Sequence, residues 1–260
     1  MSTEIKLTKP QEPWIGPRGK IGVIIPSTNI GVEYDCQQFI VPGITWHSAR
    51  FWIEYVDLSS DDAFMMFIEA IRHTIPHAMR DALTAEVDYI MMGMSAETFW
   101  GGLAGNDEFQ ARLREQCGPD MGITTGATAM EAALKAFGAK TVSVLTPYQP
   151  IGDEQVYTFF AETGFEVVNL VGMKCDTANS IAHTPQGDVI DVVLNQLDGD
   201  NVDAIVQVGT NMSNADLFPT LEKHLGKPMI PINVATIWHT YRAMGIDDKF
   251  IGRGWLFERF

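Results

Sequence analysis

"EVDYIMMGMSAETFWGG", residues 86–102, changes character abruptly in its middle. An apolar run over residues 87–93 is followed by small and hydroxylated side chains, then by an aromatic pair and two glycines. Short apolar runs that end in turn-forming residues are typical of buried strands. The pattern predicts a parallel strand that delivers a binding loop to the edge of a sheet, which is where α/β proteins bind their ligands.

The same arrangement occurs a second time. "EVDYIMMGMSAE" (86–97) is echoed by "NVDAIVQVGTNM" (201–212), and "KIGVIIPST" (20–28) is echoed by "KTVSVLTPY" (140–148). A strand ending in Pro, then a strand led by Val-Asp, then a polar loop therefore appear in the same order in each half. Chance similarity between apolar strands is one explanation of this echo; two similar lobes that face each other across a cleft are the other.

Strand-like and helix-like segments alternate along the chain. Strands are predicted at 20–26, within 43–58, and at 87–93, 141–147, 166–172, 202–209 and 227–233. This alternation predicts an α/β fold with two pseudo-symmetric lobes, each a parallel sheet flanked by helices, and a site in the cleft between them. We divide the chain into an N-terminal extension (1–19) and one α/β domain (20–260), whose lobes meet near 120–140.

Composition excludes several classes of function. The 260 residues include 33 acidic and 18 basic side chains, for a net charge of −15, so no basic face for nucleic acid can be assembled. A local pocket of N–H donors can still bind an anionic small molecule. No apolar run reaches membrane-spanning length, and the first residues lack the apolar core of a signal peptide. With an odd count of three cysteines, a cytoplasmic location is expected.

Motifs for common cofactors are also missing from the sequence. No His-Glu-x-x-His occurs, and the cysteines lack metal-ligand spacing. "GGLAGN" (101–106) does not follow a strand as a dinucleotide-binding loop must. "PSTN" (26–29) could cradle a flavin phosphate in a flavodoxin-like fold, which is the main rival class, although no aromatic residues flank it. We therefore expect no cofactor and no metal.

Four loops at predicted strand ends would surround the cleft: 26–29, 94–98, 147–150 and 209–214. These loops and their strands resemble the aspartate/glutamate racemase superfamily, in particular its maleate cis-trans isomerase and arylmalonate decarboxylase branch. The resemblance runs from about residue 20 to the C-terminus. It implies two pseudo-symmetric α/β lobes, a small carboxylate substrate bound between them, catalysis without cofactor or metal, and a possible homo-oligomer.

One departure from this superfamily concerns its catalytic cysteines. The resemblance implies one thiol at a strand end in each lobe, six residues after the Asp of each Val-Asp strand. Those positions hold Met94 and Gly209 here, and the three cysteines of the chain lie elsewhere. Cysteine-based racemisation or isomerisation is therefore not expected.

The resemblance also implies which residues bind the substrate. Asn29 and Tyr148 match groups that bind a substrate carboxylate. Ser95, with the backbone N–H groups of residues 95 and 96, matches a cradle of hydroxyl and amide donors. The full set that we expect to bind substrate is Asn29, Met94, Ala96, Asn179, Gly209 and Asn211. The residues that we expect to be catalytic are Ser95, Tyr148, Thr210, Glu97 and His239. Each hydroxyl or amide taken alone could equally be a helix cap or a turn residue.

Candidates for proton transfer are fewer. Glu97, three residues past Met94, could be an acid or base with a pKa raised by burial, or a first-turn Glu favoured by the helix dipole. His239 could face the cleft from a C-terminal helix, or pack in the core beside Trp238. Thr210 could present a hydroxyl, but no adjacent base is evident in the sequence.

The reaction favoured by the sequence is cofactor-independent decarboxylation of a small mono- or dicarboxylic acid, with a maleate isomerase-like reaction as the related possibility. A site that places a carboxylate against apolar side chains can expel carbon dioxide without a protein nucleophile. The expected apolar side chains are Met94, Phe99, Trp100 and Met212. The alternatives are a hydrolase or hydratase that uses a positioned water, with Glu97 or His239 as base, and a non-catalytic carboxylate-binding protein.

Overall fold

The computed structural model describes residues 14–260, so residues 1–13 of the predicted N-terminal extension lie outside the described residues. Two separate sheets, each of four parallel strands, form the centre of the molecule. The first contains β1 (Gly19–Pro26), β2 (Ile44–Phe51), β3 (Tyr89–Met92) and β4 (Gly122–Thr124). The second contains β5 (Thr141–Thr146), β6 (Glu166–Gly172), β7 (Ala204–Gln207) and β8 (Met229–Pro231).

Helices connect successive strands, as parallel pairing requires, and two more follow the last strand. They are α1 (Gly31–Gln37), α2 (Asp61–Leu83), α3 (Ala96–Phe99), α4 (Gly102–Cys117), α5 (Gly126–Phe137), α6 (Pro150–Glu162), α7 (Gln186–Val192), α8 (Phe218–Leu225), α9 (Ile232–Ala243) and α10 (Trp255–Arg259). None of the helices in residues 14–260 combines the length and the apolar character needed to cross a bilayer.

The two sheets have the same strand order, β2-β1-β3-β4 and β6-β5-β7-β8. The echoed segments of the sequence occupy equivalent strands, β1 with β5 and β3 with β7. The Asp of each Val-Asp pair has the same role: Asp88 accepts a hydrogen bond from the backbone N–H of Lys20, and Asp203 accepts one from that of Lys140, both at 2.8 Å. The α/β fold with two pseudo-symmetric lobes is therefore confirmed.

Strand β4 was absent from the sequence prediction. It has only three residues and begins with Gly122, a residue type that is depleted in strands. A Cβ at Gly122 would come within 2.2 Å of the Tyr89 ring on β3, so only glycine fits beside that ring. The residue that obscures the strand in the sequence is thus the residue that lets it pair.

The C-terminal segment returns from the second sheet to the first lobe. Helix α9 follows β8 but packs against α5, β3 and β4. Tyr241 on α9 donates a hydrogen bond from its hydroxyl to the carbonyl of Phe39, 202 positions earlier, at 2.5 Å. The rings of Phe250 and Phe257 also pack on Phe39, with centroids 5.2 and 4.8 Å away. The core of the first lobe is therefore completed by the last part of the chain.

A short cross-connection joins the lobes above the carboxyl ends of the strands. Asp57 and Thr177 form an isolated antiparallel bridge. On either side of it, the N–H of Leu58 donates to the carbonyl of Asp176 at 2.7 Å, and the N–H of Ala178 donates to that of Val56 at 2.8 Å. This bridge brings Leu58 and Ala178 over the strand ends.

Candidate functional site

A cavity of about 50 Å³ lies between the two lobes, at the carboxyl ends of β1, β3, β5 and β7. Fifteen residues from both lobes line it, and none carries a charge. They are Pro26, Thr28, Asn29, Leu58, Phe64, Phe67, Met94, Ser95, Ala96, Tyr148, Ala178, Ile181, Gly209, Thr210 and Asn211. Eight of the eleven candidate residues from the sequence are in this set.

Ser95 is the polar centre of the cavity wall. Its Oγ lies 2.7 Å from the hydroxyl of Tyr148, and it accepts a hydrogen bond from the backbone N–H of Thr210 at 3.2 Å. Ser95 follows β3 in the first lobe, whereas Tyr148 and Thr210 follow β5 and β7 in the second. Groups that face the cavity thus also form part of the contact between the lobes.

Asn29 combines a structural role with a possible ligand-binding role. Its Oδ1 accepts from the N–H of Val32 in the first turn of α1, and its Nδ2 donates to Oγ1 of Thr210, both at 3.0 Å. The Thr210 hydroxyl in turn donates to the carbonyl of Gly93 at 3.2 Å. The second Nδ2 hydrogen of Asn29 has no acceptor in the described part of the chain and is available to a ligand.

The side chain of Asn211 is occupied by the protein itself. Its Oδ1 accepts from the N–H of Ile30 at 2.9 Å, and its Nδ2 donates to the carbonyl of Ala178, also at 2.9 Å. Helix α1 approaches this loop so closely that a Cβ at Gly31 would lie 2.9 Å from the carbonyl oxygen of Thr210. Any contact of Asn211 with a ligand therefore falls to its backbone.

The electrostatic character of the cavity comes from neutral donors. Burial raises the pKa of the Tyr148 hydroxyl well above its usual range, and its hydrogen bond with Ser95 opposes this only in part. The phenol therefore keeps its proton throughout the physiological pH range. A bound carboxylate would be stabilised by hydroxyl and amide dipoles instead of by a basic side chain.

The two positions where the resemblance implies thiols both lie on the cavity wall. Met94 is buried, and Gly209 adopts a φ of +112° that L side chains rarely take up. A Cβ at Gly209 would lie 2.5 Å from Cδ of Pro147. The backbone conformation at position 209 therefore requires glycine.

None of the three cysteines lines the cavity. Cys36 is buried in α1, where burial raises the pKa of its thiol far above the usual range. The Cys117 thiol donates to the carbonyl of Leu113, and Cys175 lies 3.7 Å from the hydroxyl of Thr184. The site consequently has no nucleophilic sulfur.

Glu97 points away from the cavity. Its Oε1 accepts hydrogen bonds from Nε of Arg72 at 2.7 Å and from Nη2 of Arg112 at 3.0 Å. Burial raises the pKa of this carboxyl, and the two arginines lower it. Glu97 thus joins α2 and α4 to the loop that carries Ser95, and it does not reach the site as an acid or base.

His239 and Asn179 also lie outside the cavity. Nδ1 of His239 is 2.9 Å from Oγ1 of Thr124, and burial lowers the pKa of its ring. The Asn179 side chain is exposed, although its neighbour Ala178 lines the cavity. No group of three or more His, Cys, Asp or Glu residues that could hold a metal is found within residues 14–260.

The apolar wall differs from the one expected from the sequence. Met94 belongs to it, but Phe99, Trp100 and Met212 do not. The wall is instead formed by Leu58, Phe64, Phe67, Ala178 and Ile181. Phe64 packs edge-on against the Tyr148 ring, with centroids 5.4 Å apart. Because Phe64 and Phe67 lie in the first two turns of α2, the start of this helix covers the site.

Comparison with known proteins identifies the family to which the chain belongs. A model of the family described as arylmalonate decarboxylase (Amdase) matches residues 21–257. The maleate isomerase of Alcaligenes faecalis is 22% identical over 255 residues, which cover 90% of this chain and 94% of that protein. The arylmalonate decarboxylase of Bordetella bronchiseptica is 25% identical over 190 residues, with 72% of this chain and 78% of that protein covered.

Solved structures agree on the fold. A cysteine-to-serine mutant of Nocardia farcinica maleate cis-trans isomerase, which carries a covalently bound succinylcysteine intermediate, superposes with a TM-score of 0.81 at 21% identity. That match covers 93% of this chain and 99% of the other. A structure of arylmalonate decarboxylase gives a TM-score of 0.74 at 21% identity, with coverage of 93% and 100%. The chain belongs to the arylmalonate decarboxylase (Amdase) family.

Proposed function

We propose that this protein is a cofactor-independent carboxy-lyase that removes carbon dioxide from a small malonic acid bound between the two lobes. The observation that carries the proposal is the division of the cavity into two halves. Neutral hydrogen-bond donors form one half, from Asn29, Ser95 and Tyr148, and an apolar wall that includes Leu58 and Phe64 forms the other.

The donor half suits the carboxylate that the product retains. The second Nδ2 hydrogen of Asn29 and the hydroxyl pair of Ser95 and Tyr148 converge on one small space. The first N–H groups of α3, at Ala96, add donors that have no partner within the helix. Each hydrogen bond to a charged carboxylate contributes roughly 1.5–3 kcal/mol.

The apolar half suits the carboxylate that leaves. A charged carboxylate is poorly solvated against Leu58, Phe64 and Phe67, whereas neutral carbon dioxide is compatible with them. When the bond between carbon and this carboxylate breaks, the electron pair passes into the retained carboxylate and forms an enediolate. The negative charge then develops on oxygens that already face the donors, which is where preorganised dipoles stabilise a transition state.

A proton must then reach the carbon that has lost its carboxylate. The Tyr148 hydroxyl keeps its proton because burial raises its pKa. Its contact with Ser95 at 2.7 Å provides a pair of hydroxyls through which a proton can pass to the carbanion carbon. Water restores the proton when the product leaves.

Two other reactions are less compatible with this cavity. The structure of maleate cis-trans isomerase named above carries a succinylcysteine intermediate. Here Met94 and Gly209 occupy the two positions where the resemblance implies thiols. Hydration or hydrolysis needs a base beside a bound water, and the wall carries neither a carboxylate nor an imidazole. Decarboxylation is the reaction that requires neither group.

The size of the cavity favours small substrates. Its volume of about 50 Å³ is far below the roughly 150 Å³ of a protein cavity that binds benzene. Malonate and methylmalonate therefore fit with less displacement of Phe64 and Met94 than an arylmalonate does.

The test is turnover of malonate, methylmalonate and phenylmalonate by chelator-treated protein, followed as release of carbon dioxide. We expect decarboxylation of the smaller acids. Tyr148→Phe and Ser95→Ala should lower the rate at least tenfold, because each removes a donor to developing charge. Asn179→Ala is the matched control, since this exposed side chain lies beside the site but not in it.

Absence of carbon dioxide release from all three acids would refute the proposal. Conversion of maleate to fumarate, monitored by absorbance, is the second assay. A rate comparable with those of known isomerases would show instead that isomerisation proceeds here without a cavity thiol.

A further inference from the structure

We infer that Asp35 is a positioning residue which, through Asn233, orients the peptide between Thr210 and Asn211 so that its N–H faces the bound carboxylate. Because the bound carboxylate belongs to the proposed reaction, this role rests on the proposed function. Asp35 itself lies on α1 and does not line the cavity.

The first observation is the environment of the Asp35 carboxylate. It is completely buried, and no basic side chain of residues 14–260 pairs with it. Both oxygens accept from neutral donors: Oδ1 from the hydroxyl of Ser213 and Oδ2 from Nδ2 of Asn233 at 2.7 Å. A buried carboxylate without an ion pair is costly, so a purely structural contact would be made more cheaply by a neutral side chain.

The second observation is that Asn233 passes this contact on. Its Nδ2 carries two hydrogens; one goes to Asp35, and the other goes to the carbonyl of Thr210 at 2.8 Å. Both hydrogens of this amide nitrogen are used, and the residue is buried at the start of α9. The negative charge on Asp35 polarises the Asn233 amide and strengthens its hydrogen bond to the Thr210 carbonyl.

The third observation is the geometry of the peptide that Asn233 holds. In a trans peptide the carbonyl and the following N–H point in opposite directions. With the Thr210 carbonyl fixed on Asn233, the N–H of Asn211 points to the other side. Asn211 lines the cavity, and its N–H has no acceptor among residues 14–260. That N–H is therefore a free donor whose direction depends on Asp35.

Charges around Asp35 set when it ionises. Burial raises its pKa to about 6, Ser213 and Asn233 oppose the shift, and the Asp216 carboxylate adds to it. Tyr34 and Cys36, its neighbours on α1, are neutral because both have raised pKa values. Asp35 thus changes charge in a pH range where these neighbours do not.

The experiment begins with the ligand-free protein, labelled with ¹⁵N and titrated by NMR between about pH 5 and 8. The side-chain amide of Asn233 and the backbone N–H of Asn211 should shift together with a midpoint near the Asp35 pKa of about 6. Asp35→Asn, which keeps an oxygen for Asn233, should abolish both shifts. Glu222→Gln is the matched control: Glu222 is another buried carboxylate, away from the cavity, with a pKa of about 7.

The second arm measures malonate and maleate affinity by calorimetry at a pH where Asp35 is ionised. Asp35→Ala should weaken binding about tenfold, the value of one hydrogen bond to a charged group. Asp35→Asn, which keeps an oxygen for Asn233 but lacks the charge, should recover only part of the affinity, and Glu222→Gln should leave it unchanged. Asp35→Asn and Asn233→Leu carry the test if Asp35→Ala does not fold.

Asn211 that does not titrate, or a folded Asp35→Ala protein with the affinity of the parent, would overturn the inference. A purely structural anchor would shift Asn233 alone. If neither acid binds the parent, the proposed function fails, and the titration of Asn211 by itself then decides whether Asp35 controls that peptide.

Discussion

Replacing Gly209 with cysteine, which would place a thiol at the second position that the resemblance implies, should destabilise the protein and fail to create a reactive thiol. At φ +112° a side chain strains the backbone by about 1–3 kcal/mol. The new Cβ would also lie 2.5 Å from Cδ of Pro147, so neighbours must move, at a further cost of about 1–3 kcal/mol. The expected loss is about 2–6 kcal/mol of unfolding free energy.

The assay is thermal unfolding followed by circular dichroism, with thiol labelling of the folded protein. Even the lower estimate corresponds to a fall in melting temperature of about 4–8 °C for a chain of this size. Gly187→Cys is the matched control, because Gly187 has an ordinary φ and a Cβ there would meet no heavy atom within 4 Å. It should change stability by no more than about 0.5 kcal/mol. A Gly209→Cys protein as stable as this control, with a thiol labelled quickly and protected by malonate, would refute the argument.

Three further predictions concern groups outside the cavity. Replacing all three cysteines with serine should leave turnover of malonate intact in the folded fraction; rapid inactivation of the parent by a thiol reagent, prevented by substrate, would contradict this. Replacing both Arg72 and Arg112 by methionine leaves the buried carboxylate of Glu97 unpaired. Urea unfolding should then show a loss of about 3–5 kcal/mol in unfolding free energy, with a smaller loss for each single variant. Burial raises the folded-state pKa of Glu222 to about 7, so the parent protein should lose stability as pH rises from the ordinary pKa of a glutamate toward 7. Over that range the unfolding free energy of Glu222→Gln should increase relative to that of the parent. Parallel curves of unfolding free energy against pH would disprove the assignment.

The fold could be predicted because its signals are local. The Val-Asp strands, their apolar runs and the loops that follow are contiguous in the sequence, and their repetition fixed the two-lobed arrangement. Strand β4 was missed because three residues beginning with Gly122 carry no pattern of their own. Its pairing requires a residue without a side chain beside the ring of Tyr89, a requirement that strand propensities do not include.

The site was predicted less completely, because its details depend on long-range pairing. Ser95, Tyr148 and Thr210 were expected because the family resemblance implied them, and the convergence of equivalent strand ends brings them together at the cavity. Glu97 was misplaced because the two arginines that hold it come from other helices. Asp35 was not recognised at all, since its partner Asn233 lies 198 positions away. Asn179 was misplaced by a single position: its neighbour Ala178 lines the cavity. The spacing of residues in a loop does not indicate which way each side chain points.

The return of the C-terminal segment to the first lobe has a consequence for how the protein is made. During synthesis β1 to β4 leave the ribosome early, but Phe39 can be covered only after Tyr241, Phe250 and Phe257 have been synthesised. Contacts this distant along the chain slow folding and leave apolar surface exposed meanwhile. The first lobe is thus a late-maturing half despite being translated first. A fragment cut after its sheet would lack its own lid of aromatic rings, so any attempt to study the lobes separately must graft residues 232–260 onto the first.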